Sequence, residues 1–127
     1  MRIKKLDHLV LTVNSLEASI DFYTSVLGMD LIRYGEGRLA LGFGEQKINL
    51  HEAEHEFEPK AAHPLPGSGD LCFITDSSVD RMIKDMKQHL IPIEAGPVAR
   101  TGAQGPMMSI YIRDPDGNLI ELSSYDG

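Results

Sequence analysis

Arg113-Asp114-Pro115-Asp116-Gly117-Asn118-Leu119-Ile120-Glu121-Leu122 reads as a strand end, a tight turn and a second strand. Pro115 presets φ for the turn, and Asp116-Gly117 are the residue types that tolerate positive φ. In the strand that follows, Leu119, Glu121 and Ser123 point to one side and Ile120 and Leu122 to the other. A glutamate among apolar residues on a central strand is costly to bury without a partner. A bound cation would offset that cost, which directs attention to other ligand types in the chain.

Working outward, the 127 residues divide into two similar halves. The first opens with the strand pattern Leu6 to Val13. Asn14 and Ser15 then offer an N-cap, with Glu17 completing a capping box. Leu16, Ile20, Tyr23 and Leu27 recur at helical spacing, and Gly28 ends the helix. Strands are expected at Asp30 to Tyr34, Arg38 to Phe43 and Lys47 to Glu52, separated by glycine-containing turns. The second half repeats the order. A strand over Asp70 to Thr75 is followed by caps at Asp76 and Ser77 and a helical stripe of Val79, Met82, Ile83, Met86 and Leu90. Strands then follow around Pro92 to Arg100, Met107 to Arg113 and Leu119 to Ser123. The expectation is an α+β fold of two βαβββ modules, residues 1–52 and 70–127, within one domain. Residues 53–69, rich in Pro, Gly, Glu and His, read as a linker.

Aligning the halves places His8-Leu9-Val10-Leu11 over Asp70-Leu71-Cys72-Phe73, and Ile48-Asn49-Leu50-His51 over Ile120-Glu121-Leu122-Ser123. The first strand of each half therefore carries a polar residue at one equivalent position (His8, Asp70), and so does the last (Asn49, Glu121). Separately, each would read as surface polarity; recurrence in both halves argues for one shared cleft. His51, two residues after Asn49, shares its face and competes with it for a place in the site.

Composition narrows the partners. A net charge of −7 argues against nucleic acid or an anionic membrane. The single cysteine, Cys72, excludes an intrachain disulfide and a multi-cysteine zinc site, and fits a reducing, cytoplasmic setting. The N-terminus does not read as a signal peptide, and no run approaches the roughly 18 apolar residues of a membrane span. Cys72 reads as a small buried residue, His55 and His63 as exposed linker residues, and His89 as a helix C-terminal charge. Met82 and Met86 read as core, and Arg33 and Arg113 as strand-end charges. Arg100 falls in a Gly/Ala-rich loop, Pro97 to Pro106, that could close over a ligand and pair a substrate carboxylate.

Three segments carry a family resemblance: Leu6 to Val13, Phe22-Tyr23-Thr24-Ser25-Val26-Leu27-Gly28-Met29, and Asp114 to Glu121. With them the chain resembles the vicinal oxygen chelate superfamily, which includes glyoxalase I, fosfomycin resistance proteins, extradiol dioxygenases and bleomycin-binding proteins. Lys47 to Glu52, and Arg100-Thr101-Gly102-Ala103 with Gly105-Pro106, look like a small glyoxalase-domain subgroup. The resemblance implies eight strands curved around a cleft, a homodimer, and a divalent metal (Ni, Zn, Mn or Fe) held from the first and last strands of each module. His8 and Glu121 match the family's commonest ligand types. Asp70 stands where histidine is usual, and Asn49 where glyoxalase I has glutamate. The implied ligands are His8, His51, Asp70 and Glu121, with Glu121 as base and Asn49 and Arg100 toward the substrate. The leading implied activity is a glyoxalase-like lyase acting on a small oxygenated molecule, such as the adduct of a 2-oxoaldehyde with a thiol like glutathione. Alternatives are an extradiol-type dioxygenase on His8, His51 and Glu121, a fosfomycin-type thiol transferase or epoxide hydrolase, and a metal-free binding protein.

Overall fold

The computed structural model describes all residues, 1–127. The chain forms two compact units, Met1–Gly67 and Ser68–Gly127. Each carries one βαβββ motif, so the expected duplication is present.

Unit 1 contains β1 (His8–Val13), α1 (Leu16–Asp21) running into a π-helical turn (Phe22–Val26), β2 (Asp30–Tyr34), β3 (Arg38–Phe43) and β4 (Gln46–Glu52). The sheet order is β1-β4-β3-β2, with β1 parallel to β4 and the other neighbours antiparallel. Leu11, Val13, Leu41, Ile48 and Leu50 are buried on the sheet, and Phe22, Tyr23 and Met29 on the helix and its exit. The N-cap is Ser15, whose Oγ accepts from Ala18 N–H at 3.1 Å. A cap at Ser15 puts Ala18, not Glu17, at the third helical position, so the capping box read from Asn14 does not form. Thr24 Oγ1 donates to the Ile20 carbonyl at 2.7 Å, a side-chain bond that competes with the helical ladder. The turn widens here: Leu27 N–H bonds the Phe22 carbonyl and Met29 N–H the Tyr23 carbonyl. The widening rotates the stripe, burying Ser19, Phe22 and Tyr23 while Leu16, Ile20 and Leu27 are half-buried. Gly28 ends the helix at φ 72°, as a C′ glycine should.

Unit 2 contains β5 (Asp70–Ile74), α2 (Val79–Gln88), β6 (Ala95–Gly102), β7 (Gly105–Arg113) and β8 (Leu119–Ser124), in the order β5-β8-β7-β6 with β5 parallel to β8. Val79, Met82 and Met86 of α2 are buried with Ile110, Ile112, Ile120 and Leu122 of β7 and β8. Leu90, expected in that stripe, is 88% exposed at φ 57°, because the helix has already ended. The N-cap is Ser78, whose Oγ accepts from Arg81 N–H, two residues beyond the expected start of the cap. His89 is the exposed C-cap.

The opening turn motif is a buried clasp. Asp114 Oδ1 accepts from Asp116 N–H and Asn118 N–H at 2.9 Å each, and Asn118 Nδ2 donates to Asp114 Oδ2 at 2.7 Å. Asn118 Oδ1 accepts from Gly69 N–H at 2.6 Å, while Leu119 N–H bonds the Gly69 carbonyl. The turn thus fixes where β5 enters beside β8. The expected linker is only partly a tether. Its residues up to Gly67 belong to unit 1, and Phe57 packs edge-to-face on His51 at 5.5 Å. No helix is long and apolar enough to cross a membrane.

Candidate functional site

Strand pairing decides which side chains share a face. In unit 1, His8 pairs with Lys47, Val10 with Asn49 and Thr12 with His51. Asn49 pairs in turn with Ala40 of β3, and Ala40 with Ile32 of β2. The polar face of this sheet therefore carries His8, Lys47, Asn49, His51, Arg38 and Tyr34. In unit 2, Asp70 pairs with Leu119, Cys72 with Glu121 and Ile74 with Ser123. Glu121 pairs with Tyr111, and Ser123 with Ser109. The registers are the same in both halves, so His8 is equivalent to Asp70, and Asn49 to Glu121, as the sequence alignment requires.

His8 is oriented by its neighbour. Its Nδ1 lies 2.8 Å from Asp7 Oδ2, and the hydrogen bond to His8 lowers the Asp7 pKa. An ionised carboxylate only accepts, so Nδ1 carries a proton, and in the neutral imidazole the lone pair is then on Nε2. A histidine held this way is the usual arrangement of a metal ligand. Asn49 Oδ1 is buried without a hydrogen-bond partner, which leaves it available to a donor or a cation.

His51 is placed differently. It is 6% exposed, set against Phe57, and its pKa is lowered first by burial and then by the Arg38 charge. Its register lies four residues from that of His8, about 13 Å along the sheet. Side chains standing side by side on a sheet cannot close that gap onto one ion at bonds of about 2 Å. His51 thus separates from His8, and Asn49 is the nearer donor. Across the chain no group of three or more His, Cys, Asp or Glu side chains stands together as a metal cage. Each half instead presents a diagonal pair, His8 with Asn49 and Asp70 with Glu121, two residues apart on adjacent strands.

Around Glu121 a chain of hydroxyls forms that the sequence reading did not single out. Ser123 Oγ donates to Glu121 Oε2 at 3.3 Å and lies 2.7 Å from Ser109 Oγ and 3.3 Å from Cys72 Sγ. The alternation of Ser109 and Tyr111 along β7 was the available signal. Cys72 is exposed on the edge strand rather than buried as expected. Desolvation of its thiol is the largest cause raising its pKa, and the Glu121 charge adds to it, so the sulfur is held as a thiol. Arg100 is not in a mobile loop. Thr101 and Gly102 continue β6, Ala103 and Gln104 form a hairpin turn, and Tyr125 OH accepts from Gln104 N–H at 3.0 Å. Arg100 Nε donates to Tyr111 OH at 2.9 Å, which places the guanidinium beside the strand partner of Glu121. Arg113, on the same face as Asp70, makes a two-pronged bond to Glu94 at 2.9 Å for each prong.

Comparison with known proteins settles the family. The profile of the Glyoxalase/Bleomycin resistance protein/Dioxygenase superfamily matches residues 5–122. The chain belongs to this superfamily. Within it, the chain is 55% identical to the glyoxalase domain-containing protein RDO1 of Mycosarcoma maydis, over 98% of this chain and 70% of that protein. It is 56% identical to the virulence protein STM3117 of Salmonella typhimurium, over 98% of this chain and 87% of that protein. The crystal structure of STM3117 matches with a TM-score of 0.97, over 98% of this chain and 99% of that one. A lactoylglutathione lyase of Neisseria meningitidis is 31% identical over 93% of this chain and 88% of that protein. The superfamily's βαβββ architecture agrees with the two mixed sheets and their helices.

Proposed function

We propose that this member of the superfamily is a metal-dependent, glyoxalase-like lyase that isomerises a small oxygenated substrate, such as a 2-oxoaldehyde–thiol adduct, by proton transfer. The observation that carries the reading is His8, its Nδ1 held by Asp7 and its Nε2 free as a donor. The proposed donors come as two pairs, His8 with the unpartnered Asn49 amide oxygen in unit 1 and Asp70 with Glu121 in unit 2, since no three stand together within the chain. One imidazole with oxygen donors suits Ni²⁺, Zn²⁺, Mn²⁺ or Fe²⁺. When bound, such an ion polarises substrate oxygens and stabilises an enediolate. The chain's own part is proton transfer. Ser123 donates to Glu121 Oε2, and the Glu121 carboxylate is the base that takes a proton from carbon next to the substrate carbonyl and returns it. The 31% identity to a lactoylglutathione lyase supports this reading over the dioxygenase, which needs His8 and His51 on one iron. The protein is further proposed to act as a cytoplasmic homodimer.

Protein purified without chelator is expected to carry one divalent ion per chain, lost in His8→Ala. With the methylglyoxal–glutathione adduct, Glu121→Gln is expected to lower turnover by about 10²- to 10⁴-fold, the usual worth of a positioned acid–base group. Full turnover in that variant removes Glu121 from the base role. A second reading is a metal-free binding protein, favoured by the lack of a three-donor group in the chain. Protein that holds no ion and cannot be loaded with one decides for it.

A further inference from the structure

The unit 1 sheet has a second face, turned away from Asn49 and His51, and a cavity of about 180 Å³ opens at its end. Leu39 of β3 pairs with Leu50 of β4, and Glu52 lies two residues further along β4, so these three side chains leave the sheet on one side. Leu16, the first residue of α1, completes the apolar wall. Beyond β4 the chain turns back, His55 N–H bonding the Glu52 carbonyl at 2.9 Å, and His55 and Phe57 line the remaining side. Gly37, at the tip of the β2–β3 hairpin, leaves the rim open, since a Cβ there would meet nothing within 4 Å.

The cavity holds one carboxylate with no partner. Glu52 is half-buried, and its side chain is in no hydrogen bond or ion pair. Leaving an ionised group partly desolvated beside leucines is costly until a donor or cation meets it. The nearby charges are engaged elsewhere. Glu56 and Glu58 are taken by Lys60 at 3.3 and 3.4 Å. Arg38 leaves β3 on the side opposite Leu39, and its guanidinium lies 4.1 Å over the Phe57 ring. Volume limits the occupant, because an apolar cavity of about 150 Å³ takes a single benzene ring. We propose that this cavity binds small primary amines with a compact aryl or branched alkyl body, the ammonium on Glu52 and the body against Leu16, Leu39 and Leu50. An ammonium supplies the charge-assisted hydrogen bonds that the carboxylate lacks, and the body removes apolar wall from water. The parent amino acids are excluded, since their own carboxylate would stand beside Glu52. The site faces away from His8 and Asn49 and does not depend on the lyase reading.

Benzylamine, benzyl alcohol and benzoate serve as probes, since they share one ring and differ in charge. Each is titrated into the isotopically labelled protein at fixed pH and ionic strength. Benzylamine is expected to give saturable shifts at the Leu16, Gly37, Leu39 and His55 amides. Benzyl alcohol is expected to bind about tenfold more weakly, the difference made by a hydrogen bond to a charged group, and benzoate not at all. Glu52→Gln keeps the shape and removes the charge, so it should bring benzylamine down to the affinity of the alcohol while leaving the alcohol unchanged. Leu16→Trp fills the cavity from the helix side and should weaken both probes alike. No saturable shift with benzylamine, equal binding of amine and alcohol to the wild type, or an amine preference that survives Glu52→Gln overturns the proposal. Undiminished binding in a folded Leu16→Trp variant overturns it as well, by placing the probes elsewhere.

Discussion

The two units share one register and use it for different chemistry. In unit 1 the polar sheet face is cationic and aromatic, with Lys47 on Tyr34 and Arg38 on Phe57. In unit 2 the equivalent face is a hydroxyl and carboxylate network, Ser109–Ser123–Glu121, with Arg100 tied to Tyr111. A duplicated backbone thus places side chains equivalently without fixing what they are. The same holds for the device that positions the first strand. Gln46 of β4 and Asn118 before β8 are equivalent, each three residues before Asn49 and Glu121. Both bond backbone just ahead of the parallel strand. Gln46 Nε2 donates to the Leu6 carbonyl at 2.8 Å, and Asn118 Oδ1 accepts from Gly69 N–H at 2.6 Å. The difference is burial: the Gln46 bond is exposed, whereas Asn118 is fully buried and also bonds Asp114.

That difference sets the largest expected effect. Asn118→Ala removes the side-chain amide that bonds the Gly69 N–H and Asp114 Oδ2 and opens a small cavity. Losses of this kind are each worth about 1–3 kcal/mol, so roughly 3 kcal/mol of unfolding free energy is expected to go, read by urea titration. A loss below about 1 kcal/mol would mean that the clasp is not what holds unit 2 and that the comparison fails.

His51 sharpens the contrast between the faces, since it is the buried titrating group of unit 1. Its folded pKa lies below the ordinary value of 6.5, chiefly through burial and then through Arg38. The unfolded chain therefore binds the proton more tightly. The His51 contribution is complete above pH about 6.5 and is lost progressively as pH falls toward its folded pKa. Unfolding measured from pH 7.5 to 5 is expected to show this slope in the wild type and a flatter one in His51→Leu. An unchanged slope would assign the pH dependence to another group.

Much of this was legible beforehand, for identifiable reasons. Alternation in β4 and β8 placed Asn49 and Glu121 at equivalent registers of the two sheets because the strand period is strictly two. Gly28, and the turn at Asp116-Gly117, followed from φ requirements that few residues satisfy. The first cap fell on Ser15 of the offered pair Asn14-Ser15, and the second on Ser78, one residue past Ser77, because runs such as Asp76-Ser77-Ser78 offer several chemically equivalent caps. The stripe of the first helix shifted because a π-turn adds a residue that no 3.6-residue pattern anticipates. Arg38, Phe57 and Tyr34 went unremarked because cation–ring pairs join residues distant in sequence and have no spacing signature. His51 looked like a ligand because a shared face says nothing about distance along the strand; only the pairing of Thr12 with His51 supplied it.

The smallest effect is the counterpart of the first. Gln46→Ala removes one exposed side-chain bond to the Leu6 carbonyl, and water can take its place at both ends. A bond exchanged for solvent in this way is worth about 0.5–1 kcal/mol, and the turn before β4 retains Gly44 at φ 52° to set the register. The expected loss is therefore a fraction of that in Asn118→Ala, measured in the same titration. The double variant should show the sum of the two, because the bonds lie in different units and share no partner. Equal losses at the two positions would show that residues 1–7 are held by far more than one amide, and that burial is not what separates the two clips.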